Sequence, residues 1–359
     1  MPIINQSLTE DYAIYHSDCM ELLPTLPDKS VGLSVYSPPF PELYQYSDDV
    51  RDMTNCVTYQ ESLDQYRFVV EQIARLLKPG RQTCVHCTDL RHGAMYQRDF
   101  PGDIIRIHEE LGLRYFCRTT IWKDPWEFAR RTRMKSLMHK TVSIVDSSES
   151  RIAPADYLLV FKKAGKNAEP IKHPKGFKHY AGENEVPPEL IRDFANFKGD
   201  PRENLLSHWI WRQYASPVWM DVRRSRMIGG SDGHGNSKSA KEALENEEER
   251  HVCPLQLDVI ERCVTLWSNP GDIVLTPFMG VGSEVFQAVA MGRKGVGVEL
   301  KETYYRQAVR NAALAAQEQN NLEGALFVLD EPSVEEPLAD EPDGLIESDA
   351  DDYTEEPAE

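Results

Sequence analysis

Residues 271–300, GDIVLTPFMGVGSEVFQAVAMGRKGVGVEL, constrain the fold more than any other stretch of this chain. They read as a buried strand at 273–276, a glycine turn, a helix at 283–291 and a strand at 295–298 that ends in an acid. Strand, crossover helix and second strand in this order favour a parallel pair, so an open α/β sheet is expected. Gly280 and Gly282 let backbone approach a ligand where a Cβ would obstruct. Glu299 follows Gly280 by 19 residues and stands at the tip of the next strand, where it can accept hydrogen bonds from ribose hydroxyls. A phosphate ligand fits poorly. GGSDGHGNS at 229–237 lacks the lysine of a phosphate-binding loop, and Val285 stands where the third glycine of G-x-G-x-x-G would be. The turn is therefore either purely structural or, as the acid in register favours, the seat of a nucleoside cofactor without a pyrophosphate.

The rest of the chain alternates in the same way. Residues 12–16 and 31–36 read as strands, with a short helix at 20–23 between them. Leu63, Phe68, Val69, Ile73 and Leu77 fall at helical spacing over 60–77, and Pro79-Gly80 is expected to end that helix. A strand at 83–87 and a helix near 103–111 follow, and 113–122 can pair antiparallel with 156–162. Residues 164–250 are polar and proline-rich and read as an insertion, after which helices at 254–267 and 301–318 restore the pattern.

SVYSPPFPELYQY, residues 34–46, sets β-branched and apolar residues directly against two prolines. Pro38 and Pro39 remove two backbone donors and restrict the residue ahead of each, so the strand must stop there. One proline would suffice for a stop. The pair predicts a rigid polar site at a strand end, with Ser37 before it and Phe40 as a platform beside it.

Charge is distributed unevenly. The net charge of −18 includes 14 acidic residues and no Lys or Arg between 330 and 359, and the remainder carries only about −4. That tail is expected to be disordered. Arg130, Arg131, Arg133 and Lys135 cluster, as do Arg223, Arg224 and Arg226; such runs read as solvated faces or as nucleic-acid contacts. Seven scattered cysteines suggest reduced thiols. The N-terminal MPIINQSLTEDY lacks signal-peptide regions, and no stretch approaches 18 apolar uncharged residues, so a cytoplasmic protein is expected. Cys84, His86 and Cys87 have zinc-like spacing without a second pair. On a strand the two sulfurs would face opposite sides, so no metal site is expected.

SPPF at 37–40 and TPFMGVGSE at 276–284, with HVCPLQL at 251–257 and LKPG at 77–80, resemble the DNA amino-methyltransferases, specifically their beta group. The resemblance covers residues 12–317. It implies a Rossmann-like S-adenosylmethionine methyltransferase fold in circularly permuted motif order, with a target-recognition insertion. The implied organisation is a catalytic half at 1–163, the insertion at 164–250, a cofactor-binding half at 251–323 and the acidic tail at 324–359. Ser37, Pro38, Pro39 and Phe40 would then be catalytic. Serine and the Pro38 carbonyl would hold the amine N–H groups, Pro39 would fix that carbonyl, and Phe40 would stack on the base. Asp18, His251, Pro254, Thr276, Pro277, Phe278, Gly280, Gly282 and Glu299 would surround S-adenosylmethionine. Asp18 equally suits a helix N-cap, and His251 a solvent-facing helix start. Thr276 departs from the aspartate usual in the family. Serine at 37 resembles the enzymes that make N4-methylcytosine, with N6-methyladenine as the alternative. Double-stranded DNA would be the partner, touched by the two basic clusters. A fold retained for DNA binding without turnover is the rival outside the enzymes.

Overall fold

The computed structural model describes residues 3–41, 49–93, 96–132, 135–228 and 254–329. His251, Arg133, the loop at 229–237 and the acidic tail from 330 lie outside them. The described strands are β1 (Ile3–Leu8), β2 (Tyr12–Ser17), β3 (Val31–Tyr36), β4 (Leu77–Thr88), β5 (Leu90–His92), β6 (Tyr96–Arg98), β7 (Leu113–Ile121), β8 (Asp156–Lys163), β9 (Val218–Trp219), β10 (Ile273–Thr276) and β11 (Lys294–Glu299). Helices are α1 (Cys19–Leu22), α2 (Tyr59–Leu76), α3 (Phe100–Glu110), α4 (Pro125–Thr132), α5 (Pro188–Asn196), α6 (Leu205–Tyr214), α7 (Leu257–Trp267), α8 (Ser283–Ala290) and α9 (Glu302–Leu329). The described residues up to 321 cluster as one compact unit. Among the described residues no helix is long and apolar enough to cross a membrane.

β5 and β6 make a small hairpin, and the other nine described strands form one sheet in the order β1-β2-β11-β10-β3-β4-β8-β7-β9. Its centre, β2 through β4, is parallel; β1 and β8 run against their neighbours. β3 is buried along its whole length, as a strand covered on both faces must be. One apolar layer packs α7, α8 and α9 against one face, and the other packs α2 and α3 against the opposite face. Cys84 joins the first layer and Cys87 the second, as strand alternation requires of residues three apart. The expected 113–122 and 156–162 pairing is present, with Leu113 opposite Lys163 and Ile121 opposite Asp156.

Three local expectations give way to tertiary context. The capping box of Thr58 and Glu61 starts α2, but Leu76 ends it and β4 begins at once, so Pro79 and Gly80 sit inside a strand rather than stopping a helix. Phe68 is 60% exposed, and the apolar stripe of α2 runs instead through Leu63, Tyr66, Val69, Val70, Ile73 and Leu76. β1, IINQSL, is too polar to be recognised by pattern; it forms as an edge strand whose backbone groups pair with β2.

The insertion has a small core of its own, where Leu206, Ile210 and Tyr214 of α6 meet Phe177, Tyr180 and Trp209. Its last part belongs to the main layer. β9 extends the sheet parallel to β7, and Trp219, Val222 and Ile228 pack into the core on the α7 side.

Candidate active site

β3 and β10 are adjacent parallel strands, with Val274 opposite Leu33 and Leu275 opposite Ser34. Ser34 Oγ donates to the Leu275 carbonyl at 3.0 Å, tying the strands although 241 residues separate them. SPPF follows the carboxyl end of β3 and the glycine turn follows that of β10. Both loops therefore open into one crevice, the location at which α/β sheets bind ligands. A cleft of about 940 Å³, open to solvent, lies there. Its wall includes Ser37, Pro38, Pro39 and Phe40 on one side, and Pro277, Phe278, Met279 and Gly280 on the other.

Ser37 donates its hydroxyl proton to the His86 carbonyl at the end of β4, at 3.1 Å. Its oxygen lone pairs are left to accept from elsewhere. Phe40 lines the cleft but is only 6% exposed and meets Phe100 edge-on, with ring centroids 6.2 Å apart. The expected free stacking platform is thus mostly engaged in the core. Behind His86, its Nε2 lies 3.4 Å from Asp156, which also pairs with Lys123.

Glu299 accepts from the Gly280 N–H and from the Lys301 N–H, both at 2.8 Å, so it holds the turn in place while lining the cleft. Burial pushes its carboxyl up to about 7, against the pull of those two donors. Because the folded pKa exceeds the unfolded one, this group favours folding fully below about 4.5, and the contribution disappears as pH rises through about 7. Relative to Glu299→Gln, the wild type is expected to lose roughly 2–3 kcal/mol of stability between pH 5 and 8. Thermal melts of both proteins across that range check the sign. A gap in Tm that does not move with pH contradicts it.

Asp18 takes the expected cap position and also stands on the cleft wall. It caps α1 by accepting from the Met20 N–H at 2.8 Å, and it lines the cleft, where burial raises its carboxyl. Pro254 lines the cleft too, together with Leu255. Thr276 is buried behind the wall, with no partner for its hydroxyl among the described residues, and does not reach the lining. Gly282 corrects the expectation that it clears space for a ligand. It starts α8 at φ 87°, and a Cβ there would stand 2.9 Å from the Ala308 side chain, so its task is close packing against α9.

The second basic cluster is committed to the fold. Arg223 and Arg226 both bond the buried Asp258 of α7, each at 2.6 Å, and Arg226 also reaches Glu261. Arg224 pairs with Glu127. The expectation of free phosphate-reaching arginines fails here because an unpaired Asp258 inside the protein would cost more than the exposed cluster gains. Arg130 and Arg131 lie on α4 and Lys135 in the 3₁₀ turn beyond it. Their side chains are outside the described residues.

Arg51, Asp52, Met53, Ser283, Glu284, Lys301 and Tyr304 also line the cleft, and sequence reasoning missed them. Lys301 and Tyr304 follow Glu299 so closely that the start of α9 was their available signal. Arg51 had none, since only the fold brings its loop to the glycine turn.

A family model described as DNA methylase matches residues 31–310. The chain is 26% identical over 292 residues to the type II methyltransferase M.BamHI of Bacillus amyloliquefaciens, covering 80% of this chain and 54% of that one. It thus spans about half the length of that relative. Among solved structures, the PvuII DNA methyltransferase (cytosine-N4-specific) superposes with a TM-score of 0.56 at 14% identity, over 90% of this chain and 96% of that one. A DNA modification methylase of Thermus thermophilus, complexed with S-adenosyl-L-methionine, superposes with a TM-score of 0.51 at 22% identity, over 83% and 93%. At these identities the structural likeness establishes the fold.

Proposed function

The chain belongs to the DNA methylase family, and from that membership we propose that it moves a methyl group from S-adenosylmethionine to an exocyclic amine, cytosine N4, of a base turned out of double-stranded DNA. The observation that carries this reading is the convergence of SPPF and the glycine turn on one cleft from adjacent strands.

The cleft wall suits S-adenosylmethionine. That molecule has a ribose, an amino-acid end and no phosphate, and the wall offers a carboxylate at Glu299 with apolar surface at Phe278, Met279 and Leu255. When bound, the cofactor supplies a methyl carbon made electrophilic by its sulfonium. Glu299 keeps lone pairs beyond those that hold Gly280 and Lys301, and these accept ribose hydroxyls.

The chemistry left to the protein is to make a poor nucleophile attack. The lone pair of a cytosine amine is delocalised into the ring. Two acceptors placed on its N–H groups draw the nitrogen toward tetrahedral geometry and free that pair. Ser37 is one, because its own proton is already given to His86. The Pro38 carbonyl is the other, held in direction by the Pro39 ring. No covalent enzyme intermediate is required, so the rate comes from positioning and from dipoles fixed in the cleft wall. Turning the base out costs a few kcal/mol, which contacts to the DNA backbone must offset.

Incubating the protein with undermethylated genomic DNA and the cofactor, then identifying nucleosides by mass spectrometry, tests the reading. N4-methylcytosine is the expected product. N6-methyladenine keeps the enzyme and its mechanism while removing cytosine as the target. Failure to form any methylated base, with no cofactor bound, leaves a DNA-binding protein that kept the fold.

A further inference from the structure

Two buried polar side chains at the start of α8 are poorly satisfied among the described residues. Ser283 is 2% exposed, and its hydroxyl is buried without a hydrogen-bond partner there. Glu284 is 4% exposed, and the one donor that meets its carboxylate is its own backbone N–H. Both residues line the cleft, on the side formed by the cofactor turn. Folding does not explain the glutamate. Every residue of α8 from Ser283 to Val289 is buried, mostly against apolar neighbours, and an unpaired carboxyl among them is disfavoured. Burial pushes this one up to about 8. The cleft's own cations do not relieve it, since Arg51 pairs with Asp49 and Lys301 lies over the Tyr304 ring at 4.3 Å.

A cationic ligand with N–H donors would satisfy this carboxylate, and the proposed cofactor carries two positive groups. A sulfonium has no donor and would leave the oxygens unfilled. An α-ammonium has three. The carboxylate of the same amino-acid end is favoured at the first turn of α8, where the backbone N–H groups and the Ser283 hydroxyl stand one residue away. Neighbouring residues thus complement both poles of a zwitterion. We propose that Glu284 is the counter-ion of the α-ammonium group of S-adenosylmethionine, an assignment that rests on the methyltransferase reading above.

Calorimetric titration of the full chain and of Glu284→Gln with three ligands tests this. S-adenosylmethionine carries both cations, S-adenosylhomocysteine keeps only the ammonium, and 5′-methylthioadenosine lacks the amino-acid end. The expected result is that Glu284→Gln weakens the first two by a similar factor, roughly 10- to 100-fold, and leaves the third unchanged. Unchanged binding of the third also certifies that the variant is folded. Equal affinity of variant and wild type for all three overturns the assignment while leaving the methyltransferase reading intact. Weakening confined to S-adenosylmethionine overturns it in favour of a sulfonium contact, and equal weakening of all three in favour of a structural role. If the wild type binds none of them, the cofactor reading falls and the assignment with it.

Discussion

Replacing Ser37 by alanine is expected to slow methyl transfer about 10²- to 10³-fold, with cofactor affinity changed by no more than about twofold. The two parts follow from one hydrogen bond. Ser37 Oγ gives its proton to the His86 carbonyl, so the oxygen faces the cleft purely as an acceptor. In the proposed mechanism, alanine removes the acceptor for the target amine and leaves the second one, on Pro38, in place. The interaction lost is one made with the nitrogen as it becomes tetrahedral, so kcat should fall and the cofactor should not notice. Stability should change little, because what is lost is one part-buried hydrogen bond between neutral groups. Single-turnover transfer on duplex DNA, with calorimetry for the cofactor, measures both. A rate within tenfold of the wild type would remove Ser37 from the mechanism.

Replacing Arg262 by alanine is expected to cost roughly 3–5 kcal/mol of stability, the typical penalty for leaving a buried charge without its partner. Arg262 is fully buried on α7. Its guanidinium bonds Asp221 at 2.7 Å and the Ala181 carbonyl at 2.8 Å, and it lies over the rings of Trp219 at 4.7 Å and Tyr214 at 5.0 Å. Tyr180 also bonds Asp221. Truncation removes the cation and a large packed volume, and strands Asp221 with a single hydroxyl donor. Changing Asp221 to asparagine in the same chain should recover part of the loss, since the stranded charge is then gone. Denaturant unfolding of the two variants decides the matter. A loss below 1 kcal/mol for Arg262→Ala would mean that water already reaches this site.

What the sequence disclosed and what it hid divide along a physical line. The glycine turn, the SPPF strand end and the alternation of strands with helices are local patterns, and each appears where its residues predict. Glu299 was found because the distance from a turn to the tip of the next strand is set by the length of one helix. Features that depend on which segments become neighbours were not legible. Nothing within ten residues of Arg223 or Arg226 reveals that Asp258 lies 35 and 32 positions ahead of them in the chain and beside them in space. Gly282 looks like a ligand-clearing glycine because the Ala308 that crowds it belongs to another helix. Phe40 looks free because Phe100 lies far along the chain. Glu284 draws no notice in the sequence, since a glutamate early in a helix is ordinary. It becomes informative only when the surrounding helix is found to be buried and the carboxyl unpartnered.

The single helix α7 draws these points together. Its Asp258, Glu261 and Arg262 grip the inserted region through Arg223, Arg226 and Asp221, while Leu255, just ahead of it, forms part of the cleft wall. A chimera that swaps this insertion for a relative's cannot be cut at the edges of the composition change alone. The graft must bring an acid for Arg262 and two bases for Asp258, or it leaves charges buried without partners in the shared core.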